Sequence, residues 1–431
     1  MEKQPMELTG DFEAALDMLE KTNKNLFITG RAGTGKSTLL SLFKNTTRKK
    51  SVVLAPTGVA ALNVQGQTIH SFFGFPAKLI QRSEIQARKD RRIYQRLQIL
   101  IIDEISMVRA DMVDNIDYAL RINRQNPKPF GGVQVIFFGD LFQLPPVVAS
   151  PEEQLYFKTA YESPFFFHAK VFQDKDFMLE TFELKKVYRQ EARHFIRLLD
   201  AVRLNQIDYD DLDDLNQRYK PNFNSKEYFI TLSARNALVD QLNTKALDAL
   251  TTREYTFLGD VSGNFDPKLM PADPILKLKL GAQVMFVRND MKREFVNGTI
   301  GKVVQLTDES IYVQIEQKDG ALKRIEVEKT SWELQRYKIS PTNAETIESE
   351  STGTFKQYPL RLAWAITIHK SQGKTFDKVI IDLGAGAFEH GQTYVALSRC
   401  RTLEGIVLKQ KLRPQDIRVD ERILEFYEQY F

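Results

Sequence analysis

One cysteine, Cys400, stands among 431 residues, which excludes an internal disulfide framework and suits a reducing compartment. Five histidines accompany it, and no cluster of His, Cys and acidic residues at metal-ligand spacing is visible, so no metal beyond Mg²⁺ is expected. Long apolar runs are missing too: nothing approaches the roughly 18 residues a membrane-spanning helix needs. The start, MEKQPMELTGDFEAALDMLE, is acidic and broken, without the basic and apolar regions of a secretory signal. A soluble, intracellular protein with no membrane partner is expected, cytoplasmic in a bacterium and nuclear or mitochondrial in a eukaryote. Charge of one sign is also scarce. Sixty Lys and Arg against 56 Asp and Glu leave a net charge of +4, so any nucleic acid must be met by local clusters of basic residues and not by a global field.

What is present is a recurring short apolar strand, then a polar turn, then a helical stretch. Leu26–Thr29, Val52–Ala55, Ile99–Ile102, Val133–Phe138 and Phe177–Thr181 form one series. Tyr228–Leu232, Leu362–Ala365, Lys378–Leu383 and Gly405–Leu408 form another. Continuous apolar runs of this length suit parallel sheets buried on both faces. Residues 252–356 differ, with alternating segments such as TIGKVVQL and SIYVQIEQ separated by turns, as in a small antiparallel barrel. The expected fold is therefore α/β: a first unit over 1–187, a second over 188–251 and 357–431, and a β-rich barrel-like insert over 252–356 within the second.

The strand NLFITG runs into GRAGTGKST, so Gly30 to Ser37 fits G-x-x-x-x-G-K-[ST]. Glycines let backbone N–H groups curl around phosphates at a helix N-terminus. Gly30, Ala32, Gly33, Thr34, Gly35, Lys36, Ser37 and Thr38 are the expected ATP-binding residues. Lys36 would neutralise the β- and γ-phosphates, and the Ser37 hydroxyl would hold Mg²⁺. The bland alternative is a Gly-rich strand-to-helix turn. The strand LQILIIDE ends in Asp103 and Glu104, at the sheet edge where ligands sit in such folds. Asp103 is placed to hold Mg²⁺ and Glu104 to act as general base on the attacking water; two solvated acids at a strand end is the alternative. VIFFGDLFQLPPV then delivers Asp140 and Gln143 to the same edge.

Taken with these, the ordered blocks LAPTGVAA, TIHSFFGF, IIDEISMV, LKKVYRQ, FIRLLDAVRLNQ, AWAITIHKSQGKTFD and TYVALSRCRT make the chain resemble the PIF (petite integration frequency) DNA helicases, relatives of RecD in superfamily one. The resemblance covers nearly the whole chain. It implies two RecA-like domains and an ATP-driven motor moving 5′ to 3′ on single-stranded DNA. It makes Gln143 a γ-phosphate sensor, and Arg189 and Arg399 arginine fingers from the second domain. Implied partners are single-stranded DNA, single-strand/duplex junctions and guanine quadruplexes, with action as a monomer in DNA repair, recombination and telomere maintenance. Relatives usually carry a glutamine upstream of the phosphate loop that reads the adenine edge. ELTGDFEAALDMLE has none, which loosens the expected preference for ATP. An RNA unwinder, a RecD-like accessory subunit and a nucleotide switch are the competing readings.

A single-strand track needs phosphate contacts and faces for base stacking. Thr57, His70 and Phe72 in the first domain, and Thr231, Ser233, Arg235, His369 and Lys370 in the second, occupy strand-end loops suited to this. Phe73 and Phe75 crowd the same short segment, where core packing is the alternative for each ring. Residues 64–96 read as a wedge-like insertion, whose stretch 76–96 carries Lys78, Arg82, Arg88, Lys89, Arg91, Arg92 and Arg96 against Glu84 and Asp90. Lys292 and Arg293 precede Asn297-Gly298, a hairpin-turn signal at the rim of the insert.

Overall fold

The apolar runs of the first series find one another side by side in a computed structural model, which describes residues 10–431 apart from 77, 191, 224–227, 291, 293, 318–319 and 344–345. Gln67–Thr68, Ser51–Ala55, Ile99–Ile102, Gln134–Phe138, Asn25–Gly30 and Leu179–Leu184 lie in that order in one six-stranded sheet. Every pairing in it is parallel. Ile99–Ile102 and Gln134–Phe138 are buried throughout, as strands covered by helices on both faces must be. Because all six strands run the same way, the loops after them gather at one edge.

The second series forms a four-stranded parallel sheet in the order Ala365–Thr367, Ile230–Ser233, Val379–Asp382, Ile406–Leu408. The expected strand Leu362–Ala365 is split. Leu360–Leu362 pairs antiparallel with Gln283–Phe286 of the insert, while Ala365–Thr367 joins the parallel sheet. The insert thus extends past residue 356. It has its own core, which includes Val284, Phe286, Val313, Ile325 and Leu360. Among the described residues its strands make antiparallel sheets of five, two and three strands, not one closed barrel.

Two further departures concern the units' outlines. The C-terminal helix Glu421–Tyr430 follows the second sheet in sequence but docks on the first unit. Phe426 stacks on Phe167 at 4.4 Å and meets Phe27 edge-on, and Thr181 Oγ1 donates to the Tyr430 carbonyl at 3.0 Å. The wedge-like segment, for its part, is no free-standing protrusion. Gln67–Thr68 is the edge strand of the first sheet, and Ile80, Ile85, Tyr94 and Leu97 are buried. The hairpin strand Thr330–Ile339 of the insert lies against it: the Tyr337 N–H donates to Gln67 Oε1 at 3.2 Å, and Tyr337 Oη accepts from the Val53 N–H at 3.1 Å.

Candidate functional site

Gly30 to Ser37 leaves the strand Asn25–Gly30 and enters the helix Lys36–Thr46. Gly33 and Gly35 sit at φ +87° and +89°, a region that disfavours any side chain. Space demands glycine as well. A Cβ at Gly33 would lie 2.5 Å from the Arg189 Cβ, and one at Gly35 would lie 2.9 Å from Phe12 Cζ. Lys36 is half-buried, and its ammonium donates to the carbonyls of Gly30 at 2.5 Å and Arg31 at 3.1 Å. Burial lowers its pKa, opposed by Asp140 and Glu104. Ala32 and Thr34 are buried, whereas Ser37 and Thr38 are exposed on the first helical turn.

Asp103 and Glu104 follow Ile99–Ile102, two strands away from the loop in the same sheet. Glu104 adopts φ 51°, ψ 46°, uncommon for a residue with a side chain and of the kind that marks functional sites. Burial, then the neighbouring Glu104 charge, pushes Asp103 up to about 7; burial likewise raises Glu104. Asp140 behaves oppositely. Burial alone would raise it, but Arg203 and Lys36 hold it below the usual carboxylate range. Arg203, 1% exposed, reaches Asp140 at 3.4 Å and Glu183 at 3.6 Å, its guanidinium lying over the Phe142 ring. Gln143 donates to Asp140 Oδ2 at 3.2 Å and accepts from Gln372 Nε2 of the second unit at 3.2 Å. The expected sensor therefore bridges the two units.

Arg189 and Arg399 converge on one residue. Arg189 Nη1 donates to the Ser398 carbonyl at 3.1 Å and Arg399 Nη2 to Ser398 Oγ at 2.9 Å. Burial, then the charge of Arg399, pulls Arg189 down to about 9; burial also lowers Arg399. Like charges packed this closely beside Lys36 form a pocket that a polyanion would relieve. The remaining donors are hard oxygens, a serine hydroxyl and two carboxylates. Among the described residues no group of three His, Cys, Asp or Glu could hold a metal. That chemistry fits Mg²⁺, which keeps its waters and shares phosphates instead of filling a protein cage.

Several members of this cluster had no signal in the sequence. Arg203 lies in FIRLLDAVRLNQ and Tyr394 in TYVALSRCRT, but neither residue type announces its role. Phe12 and Tyr188 pair edge-to-face at 6.3 Å beside Gly35, an aromatic wall contributed in part by the stretch that lacks an adenine-reading glutamine. The stretch around residue 12 gives the chemistry away only once folding brings it to the loop.

The candidate nucleic-acid residues divide. Thr57 is exposed and caps the helix Gly58–Asn63. His70 is half-buried, with its pKa lowered by burial and then by Arg109. Arg235 and Lys370 are exposed, Thr231 half-buried, and Ser233 is buried and accepts from the Arg235 N–H at 3.3 Å. His369 pairs with Glu389 at 3.3 Å. Phe72 is a correction: it is 6% exposed and packs edge-to-face against Phe73, Tyr94 and Tyr337, so the core reading holds for this ring. Phe73 is buried beside it and Phe75 is stacked on Phe73 at 5.3 Å. Part of the basic charge of 76–96 is engaged, since Lys78 pairs with Glu84, Arg92 with Asp90, and Arg82 lies over Tyr118. Asn297 holds Lys374 Nζ at 3.1 Å, docking its turn on the second unit. Lys292 is exposed; Arg293 lies outside the described residues.

The two units present matching features. Thr68-Ile69-His70 follows the edge strand of the first sheet and Thr367-Ile368-His369 that of the second. Each threonine caps the short helix after it, Thr68 accepting from the Ser71 N–H and Thr367 from the Lys370 N–H.

The chain is similar to known proteins over nearly its whole length. Residues 8–213 match the model of PIF1-like helicases, and residues 269–306 that of the DNA helicase Pif1 2B domain. The ATP-dependent DNA helicase Pif1 of Bdellovibrio bacteriovorus is 33% identical, over 99% of this chain and 92% of that protein. The human ATP-dependent DNA helicase PIF1 is 35% identical over 94% of this chain, which spans 61% of the human protein's length. The crystal structure of Bacteroides sp Pif1 with ADP-AlF4 superposes with a TM-score of 0.90 at 37% identity, covering 99% of this chain and 97% of that one. Pif1 from Bacteroides with ADP-AlF3 and ssDNA covers 99% and 98% at 38% identity, but its TM-score is 0.69.

Proposed function

The chain belongs to the PIF1-like helicase family, and from that premise we propose that it is an ATP-driven motor that moves 5′ to 3′ along single-stranded DNA and opens duplex ahead of it. The observation that carries this reading is the meeting of Arg189 and Arg399 on Ser398, within electrostatic reach of Lys36 and Glu104, where the two α/β units touch. A nucleotide there touches both units, so its presence favours the closed cleft and its loss the open one.

Ser37 and Asp103 would hold Mg²⁺, which would neutralise charge on the phosphates. The protein's own residues do the rest. Loop N–H groups and Lys36 bind and orient the triphosphate, Glu104 accepts the proton of the attacking water, and the two arginines offset the charge that develops at the transferred phosphoryl group, where one such residue contributes about 10³–10⁵ in rate. Gln143, hydrogen-bonded to Gln372, passes the change to the second unit. Phe12 and Tyr188 would take the base on an apolar face, a contact that favours no one base edge.

Thr57 and His70 in one unit, and Arg235, His369 and Lys370 in the other, would grip the strand from the strand-end loops of the two sheets. The whole chain superposes better on the Bacteroides protein with ADP-AlF4, at a TM-score of 0.90, than on the one with ADP-AlF3 and ssDNA, at 0.69, which supports a change in domain arrangement on DNA binding. Residues 76–96 would then stand at a single-strand/duplex junction, and folded targets such as guanine quadruplexes would be opened by the same action of a monomer. Strand displacement on duplexes with 5′ or 3′ tails tests the proposal. ATP-dependent opening of the 5′-tailed duplex is expected; DNA-stimulated hydrolysis without displacement would leave a translocating ATPase, and preference for a 3′ tail would reverse the direction. Serine at Arg88, Lys89, Arg91 and Arg92 should lower displacement severalfold with ATPase kept; equal displacement removes the wedge.

A further inference from the structure

We infer that Tyr394 is a positioning residue through which the second unit competes with the terminal phosphate of the nucleotide for the phosphate loop. The inference rests on the nucleotide reading of that loop. Tyr394 lies in the helix Gln392–Ser398 of the second unit and is 3% exposed. Its hydroxyl oxygen accepts from the Ala32 N–H at 2.9 Å and donates to Asp140 Oδ2 at 3.3 Å. One oxygen therefore satisfies a loop amide of the first unit and a carboxylate held by Arg203 and Gln143. Burial and the Asp140 charge raise the pKa of this hydroxyl, so it stays protonated and keeps both roles.

A phosphate oxygen is only an acceptor. It can take the Ala32 N–H, but it has nothing to give Asp140 and repels it. When a phosphate reaches this amide, the Tyr394 hydroxyl must release it. Ala32 is on the side of the loop that faces Asp140, where Gln143 and the two arginines gather and the terminal phosphate belongs. A diphosphate, one group shorter, leaves the amide with the tyrosine. The hydroxyl thus makes the site distinguish triphosphate from diphosphate before hydrolysis.

Tyr394→Phe removes the hydroxyl and keeps the ring. Hydrogen exchange at residues 30–38 without nucleotide should become faster than in the parent. Without DNA, affinity for the non-hydrolysable triphosphate AMP-PNP should rise roughly two- to tenfold, the effect of one neutral hydrogen bond, while ADP affinity stays as it was. Equal shifts for both nucleotides, which lost packing would produce, overturn the inference, as does unchanged loop exchange. If the phenylalanine variant does not fold, the parent decides: AMP-PNP must alter exchange in 392–398 and ADP must not, and an equal response overturns it. A parent that binds neither nucleotide overturns the nucleotide reading itself and this inference with it, a result distinct from the others.

Discussion

Glu104 is held by its neighbours in a backbone conformation that aims one carboxylate into a cleft of cations, and the first prediction follows from that placement. Glu104→Gln keeps the shape and loses the base, so nucleotide affinity should stay near the parent's while single-turnover hydrolysis slows by about 10²–10⁴. Equal losses of affinity and rate would instead make Glu104 a binding group. Asp103 carries the second prediction. Its folded pKa is raised, to about 7, so the native state holds a proton that the unfolded chain has released by about pH 4. Stability therefore falls as pH climbs from about 4 to 7 and stays reduced above. Without nucleotide and metal, Asp103→Asn should melt higher than the parent at pH 8, with the gap narrowing toward pH 5; a constant gap in thermal melts would refute this origin. The loop glycines, Lys36 and the adjacent acids could be read from sequence because each lies within one contiguous turn. Arg203, Tyr394 and Phe12 could not, because each reaches the site from a separate element and only packing brings it there.

At the scale of elements, the parallel strands were legible because burial on both faces leaves unbroken apolar runs. The run at 362–365 was misleading for the same reason: two short strands of different sheets abut there, and hydrophobicity does not record which neighbour each will pair with. TIHSFFGF shows the converse. Three phenylalanines in a strand-end loop look like a stacking platform, yet Phe72 closes the seam between the first sheet, Tyr94 and the hairpin strand Thr330–Ile339. Phe72→Ala should therefore act through a cavity, lowering stability by about 3–5 kcal/mol in denaturant titrations. Single-strand affinity of the folded fraction should be unchanged; a selective loss of DNA binding with stability intact would return the ring to the track.

Over the whole molecule, a net charge of +4 leaves strand binding to a few local contacts. Neutralising about three phosphates gives a slope near −2 for log affinity against log salt on single strands, so binding should fall roughly tenfold or more from about 50 to 200 mM salt. A flat response in fluorescence anisotropy would exclude phosphate contacts as the source of affinity. The C-terminal helix has the other consequence at this scale. The chain passes from the first unit to the second through the stretch after Leu184, and then returns, because Glu421–Tyr430 is fixed to the first sheet through Phe426 and Tyr430. A body attached at one point can tumble about it, but a body attached at two can only swing about the line that joins them. If nucleotide drives the proposed closure, the two attachments would confine the swing to one axis, like a door on two hinges, and each closure would repeat the same arc. Free energy released by a nucleotide at that site would then be delivered along one direction instead of being scattered over many.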